Sequence, residues 1–157
     1  MAQFVNSLYY WLAVGFGSGL IKPAPGTWGS LLGMLLWWGL LTLSLPIAVV
    51  LLVIGTVLGG AICRIGGERL GEVDHGSIVW DEIVAMGWLL LTIALFSQLT
   101  LWTVLLGLLL FRLFDITKPW PINRVDAWHT PWSVMLDDLL AFAYAGIGFF
   151  ILMNMIS

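Results

Sequence analysis

Long apolar runs, broken at only a few points, dominate the chain. No Asp, Glu, Lys or Arg falls within residues 1–21, 23–63, 83–111 or 139–157. A helix needs about 20 mostly apolar residues to cross a bilayer, so these runs predict membrane helices. Reading the polar, glycine and proline breaks as helix ends gives about six segments. They are 4–21, 29–44, 46–63, 81–97, 99–117 and 137–156. Pro46 interrupts one run, and its ring and missing N–H favour a turn or a new helix start there. Ser97 and Gln98 are the only polar break in another. Several pieces are short for a full span, so tilted, re-entrant or interfacial helices are expected. Segment 4–21 is the clearest case, because Gly15, Gly17, Ser18 and Gly19 favour a broken or re-entrant element. The expected fold is all-α: a polytopic membrane bundle of about four to six helices, forming a single domain over the 157 residues.

Composition agrees. The chain is 61% hydrophobic and 10% charged, against about 45–50% and 25% in soluble domains. The first residues, MAQFVNSLYY, lack the basic start of a signal peptide. Six basic residues and a net charge of −3 leave no footprint for nucleic acid. The single Cys63 has no intrachain partner and reads as a small core residue.

Alternating the direction of the segments places every charged residue on one side. Lys22, Arg64, Arg69, Arg112, Lys118 and Arg124 all lie there, so that side is expected to be cytoplasmic. Trp80, Trp120, Trp128 and Trp132, with Trp11 and Trp28, fit an interfacial aromatic belt on the same side.

A belt does not account for the acids that gather with it. Asp81, Glu82, Asp115, Asp137 and Asp138 lie at the predicted helix mouths. Four of them could be helix N-terminal acids, each worth about 0.3–1 kcal/mol. Asp115 closes a helix at the other end, where the dipole disfavours it, and needs a cation. Arg112 and Lys118, three residues either side, would share its face if the helix reaches Pro119. Acids from three segments on one membrane face would repel without a cation between them. Mg²⁺ takes one or two carboxylates, waters and substrate phosphate. Helix neighbours diverge by about 100°, so one acid of each adjacent pair is expected to face the metal. His75, just upstream, is a helix-capping or solvent-exposed residue, or a general acid for a leaving alkoxide. The glycines and prolines of GFGSGLIKPAPGTWGS, with Thr27 or Ser30 opening a helix, form either a packing surface or an anion-binding turn. Asp126, Glu72 and Asp74 read as loop charges.

The stretches GFGSGLIKPAPGTWGS, DHGSIVWDE, FRLFDITKPWPI and VMLDD, in this order, resemble the bacterial phosphatidylglycerophosphatase A family. The resemblance covers most of the chain, from about Gly15 to Ala141. It implies an Mg²⁺-dependent phosphatase of the bacterial inner membrane, multi-pass and with its active site facing the cytoplasm. Its substrate would be phosphatidylglycerol phosphate, held within membrane lipid, and its product phosphatidylglycerol. The implied metal ligands are drawn from Asp81, Glu82, Asp115, Asp137 and Asp138. Thr27, Ser30, Arg112 and Lys118 would hold the phosphate, and His75, Asp81 and Asp115 would carry catalysis. The chain has no D-x-D nucleophile and no histidine-containing lipid-phosphatase signature, which leans towards direct attack by water.

Two other classes compete. A small cation transporter would use the acids as an ion path, but would place them near the midplane rather than at one face. A non-catalytic scaffold would use them only as a salt-bridge network.

Overall fold

The computed structural model describes residues 2–156, and among these every regular element is helical. The helices are α1 (Ala2–Ala13), α2 (Pro25–Leu43), α3 (Leu45–Leu70), α4 (Trp80–Phe96), α5 (Leu101–Thr117), α6 (Ile122–Asp126) and α7 (Pro131–Ile156). A 3-10 turn, Gly15–Leu20, follows α1. Three helices, α2, α3 and α7, are long and apolar enough to cross a membrane.

The bundle is built around α4, which packs against α2, α3, α5 and α7. Its residues 81–87 are buried without interruption, followed by Leu89, Leu90, Leu91 and Ile93. A helix that is apolar on every side must be covered on every side. At 17 residues, α4 is about 25 Å long, short for a bilayer core of about 30 Å. By contrast, α3 turns Ile47, Val50, Val53, Ile54 and Val57 outward, as a lipid-facing helix does.

Close approach of α2 to α4 needs residues without side chains. A Cβ on Gly33 would lie 2.9 Å from the Ile83 Cα, and one on Gly29 would lie 2.5 Å from the Val79 Cβ. Indoles then tie the helices together. Trp37 Nε1 donates to the Ile83 carbonyl at 2.8 Å, Trp80 Nε1 to the Gly55 carbonyl at 3.1 Å, and Trp88 Nε1 to Thr56 Oγ1 at 2.9 Å. Trp80 is therefore a half-buried bridge from α4 to α3 rather than a belt residue. Trp11, Trp28, Trp120, Trp128 and Trp132 remain exposed.

Segment 4–21 is broken where its glycines suggest: α1 stops at Ala13, and the following turn carries Phe16 at φ 53° and Gly17 at φ 101°. Two other boundaries differ from the sequence expectation. Helix α3 does not stop at 63 but continues through the exposed Arg64–Glu68 pair, 3.1 Å apart, to a left-handed Gly71 at φ 85°. A solvated i,i+4 pair supports a helix rather than ending it. Helix α7 begins at Pro131, six residues before the acids expected to open it. Its start is fixed by a reciprocal cap: Ser133 Oγ accepts from Thr130 N–H at 2.9 Å, and Thr130 Oγ1 from Ser133 N–H at 3.0 Å. Asp137 and Asp138 therefore lie in the second turn and are not helix caps.

The connections that carry charge all fall at one end of the bundle. There the start of α2, the end of α3, the start of α4, the end of α5 and the start of α7 come together. The tight turns at Ser44 and at 97–100 make the opposite end.

Candidate active site at the charged end of the bundle

Helix α4 supplies Asp81 and Glu82 from its first turn, and α7 supplies Asp138 from its second. All three are buried. One carboxylate oxygen from each lies within 4.8 Å of the others. The expectation that only one acid of the 81–82 pair could face a metal is thus corrected. The extra methylene of Glu82 lets its carboxylate come round to meet that of Asp81. For the 137–138 pair the divergence holds: Asp138 joins the group, and Asp137 turns to Lys118.

Arg112, near the end of α5, closes one side of the group. Its Nη1 lies 2.5 Å from Asp115 Oδ2 and 3.5 Å from Glu82 Oε1. It also approaches Ser30 Oγ at 3.5 Å. Asp115 has the cation its place at a helix C-terminus requires, and that cation is Arg112. Lys118 does not share this face. It sits just past the helix in a left-handed conformation, φ 39°, which swings its ammonium onto Asp126 and Asp137, the latter at 2.6 Å. Burial opposes the Lys118 charge, but the hydrogen bonds to Asp126 and Asp137 outweigh it and raise its pKa above the usual lysine range. Asp126 is the residue that sequence reasoning missed. Its partner is eight positions away across two prolines, a separation no helix or strand period would flag.

The first turn of α2 forms the remaining wall. It opens at a left-handed Ala24 with no side-chain cap; Pro25 has no N–H and the Thr27 and Trp28 N–H groups donate to the Ala24 carbonyl, so the Gly26 N–H and the positive dipole end are what this turn offers an anion. A Cβ on Gly26 would overlap Glu82 Oε1 and lie 3.1 Å from Arg112 Nη1. Glycine alone lets this turn touch the charged cluster. Ser30 is buried, and its hydroxyl donates to the Gly26 carbonyl at 2.8 Å. Thr27 is half-buried, and its side chain makes no hydrogen bond among the described residues. His75 Nδ1 accepts from the Ser77 N–H at 3.1 Å. Among the described residues, His75 makes no ion pair or hydrogen bond with the acids.

The donor set fits a hard divalent cation. Asp81 Oδ1, Glu82 Oε2 and Asp138 Oδ2 are each buried without a hydrogen-bond partner. Buried charge without a partner is strongly disfavoured. Arg112 supplies one positive charge against the four carboxylates of Asp81, Glu82, Asp115 and Asp138. An oxygen-ligated divalent ion would offset two of the remaining three.

Comparison with known proteins gives the site its context. The family model for phosphatidylglycerophosphatase A matches residues 11–153. The chain is 44% identical to a Haemophilus influenzae protein named phosphatidylglycerophosphatase A, over 87% of this chain and 83% of that one. It is 39% identical to an Escherichia coli protein of the same name, over 94% and 85%. A Bacteroides thetaiotaomicron protein named putative phosphatidylinositol-3-phosphatase is 33% identical, over 87% of both. No solved structure matches. With a match along nearly its whole length, the chain belongs to the phosphatidylglycerophosphatase A family and is a phosphoric monoester hydrolase of the membrane-helical kind.

Proposed function

We propose that the protein removes the terminal phosphate of phosphatidylglycerol phosphate, giving phosphatidylglycerol, with Mg²⁺ held by Asp81, Glu82 and Asp138. The observation that carries this reading is the set of three buried carboxylates, each with one unpartnered oxygen, beside Arg112 and the open start of α2. The transporter and scaffold readings give way, since the family is one of hydrolases and the acids gather at one end of the bundle rather than at its middle.

A divalent ion held by Asp81, Glu82 and Asp138 would supply positive charge to the phosphoryl oxygens and Lewis-acid activation of the attacking water. The chain's own residues do the positioning. Arg112 and the Gly26 N–H at the start of α2 face the phosphate, with the Thr27 hydroxyl as a further donor. Asp115 holds Arg112 in place through its 2.5 Å ion pair. Lys118, fixed by Asp126 and Asp137, keeps positive charge at the rim and orients the segment that carries Asp138. His75 is assigned to the leaving alkoxide as general acid, giving it a proton. Water is the attacking group.

The decisive experiment measures inorganic phosphate released from phosphatidylglycerol phosphate in detergent micelles, with Mg²⁺ and with chelator. Release that needs Mg²⁺ and disappears in a folded Asp81→Asn variant supports the reading. Release that persists with chelator overturns the metal. The name of the 33% relative raises a second substrate, phosphatidylinositol 3-phosphate. Faster release from that lipid would move the assignment to it. The charged end is assigned to the cytoplasmic side of the bacterial inner membrane, on the strength of its basic residues.

A further inference from the structure

Lys118 stands close to the carboxylate cluster without entering it. Among the described residues its ion pairs are with Asp126 and Asp137. Asp137 Oδ2 accepts from its ammonium at 2.6 Å, and Asp137 Oδ1 accepts from the Asp138 N–H at 3.1 Å. One side chain therefore separates this lysine from a member of the cluster.

Charge alone favours a different arrangement. Asp81, Glu82, Asp115 and Asp138 are offset only by Arg112, and three of them carry a buried oxygen without a partner. Lys118 follows Asp115 by three residues, about one helical turn. An ammonium on a flexible four-carbon stem would gain by turning inward to those oxygens, since buried carboxylates without a cation are strongly disfavoured. It would then fill the place between the acids as an internal cation. Asp137 cannot prevent this alone, because it adjoins Asp138 and belongs to the same negative end. Asp126 can. Its side chain is 34% exposed and that of Asp137 7%, so the ammonium is held between a buried partner and one at the water boundary. Asp126 is itself anchored. Its short helix α6 buries Ile122 completely, and the Asp126 carbonyl accepts from the His129 N–H at 3.3 Å.

We propose that Asp126 is a positioning residue that keeps the Lys118 ammonium out of the carboxylate cluster, so that the place between Asp81, Glu82 and Asp138 stays open to a divalent cation. This rests on the metal-dependent reading above. Asp126 touches neither ion nor substrate, and acts only by where it holds the lysine.

A double-mutant cycle tests this, with Mn²⁺ binding to the full chain in detergent read by electron paramagnetic resonance and folding checked by thermal denaturation. Asp126→Asn should weaken binding about ten-fold, the lower end of the effect of residues that act through a ligand's surroundings. Asp126→Glu, which keeps the charge, should stay within about three-fold of wild type. Lys118→Met should bind no tighter than wild type when Asp126 is present. In the Asp126→Asn background the same change should tighten binding at least about three-fold, because the competing ammonium is gone. That rescue separates the proposal from its rivals. If Lys118→Met changed binding by one factor in both backgrounds, the two charges would act independently and the proposal would fall. If the double variant bound more weakly than Asp126→Asn, Asp126 would serve only to hold α6 in place, and the proposal would fall again. Unchanged binding in Asp126→Asn would overturn it while leaving the metal reading intact. Wild type that binds no Mn²⁺ would refute the metal reading, and this proposal with it.

Discussion

Adjacent acids in one sequence pair do different work. Asp138 joins Asp81 and Glu82, while Asp137 is spent on Lys118. Mn²⁺, which reports its own binding by electron paramagnetic resonance, separates them. Asp138→Asn should weaken Mn²⁺ binding by about 100-fold or more, and Asp137→Asn by about ten-fold, as expected for a residue that orients a ligand. Equal losses would mean that both acids reach the ion. The acids were legible because carboxylates in an apolar chain need a reason to be there. Their division of labour was not, because an angle of about 100° between neighbours says nothing about side-chain length. Glu82 escapes that rule and Asp137 obeys it. The Lys118–Asp126 contact depends on a left-handed residue at 118, and no local pattern announces one.

Helix boundaries teach a related lesson. Taking charges as the ends of apolar runs works where a turn follows at once, as at Thr117, and fails where the helix emerges into water. Helix α3 carries Arg64 and Glu68 on an exposed face and stops only at a left-handed glycine. Helix α7 announces its true start by Thr130 followed by Pro131, a side-chain cap and a proline in the first turn. Packing between elements rests on α2, where two glycines offer a paired test. Gly33→Ala drives a methyl against the Ile83 backbone, 2.9 Å from its Cα, and should destabilise by about 1–3 kcal/mol. Gly39→Ala meets nothing within 4 Å and should be neutral or stabilising by up to about 1 kcal/mol. Thermal denaturation in detergent gives the order. Equal midpoints would mean that α2 and α4 are not held at this distance.

For the whole molecule, one-ended charge is the organising fact, and alternating the apolar segments was enough to reveal it. If the charged end faces the cytoplasm, a Trp128→Cys variant in a Cys63→Ala background reacts with a membrane-impermeant thiol reagent only in inverted vesicles. Gln98→Cys, at the opposite end, reacts only in right-side-out spheroplasts. The reverse pattern would place the chemistry outside. The covering of α4 on all sides also has a consequence for biosynthesis. Two of its walls, α2 and α3, leave the ribosome before it, and two, α5 and α7, leave after it. During translation α4 must therefore wait with one flank unprotected and with Asp81 and Glu82 lacking Arg112, Asp138 and any ion they could share. Assembly of the carboxylate cluster waits for α7, the last helix made, and a synthesis halted before α7 yields a product with neither a complete cluster nor a covered α4.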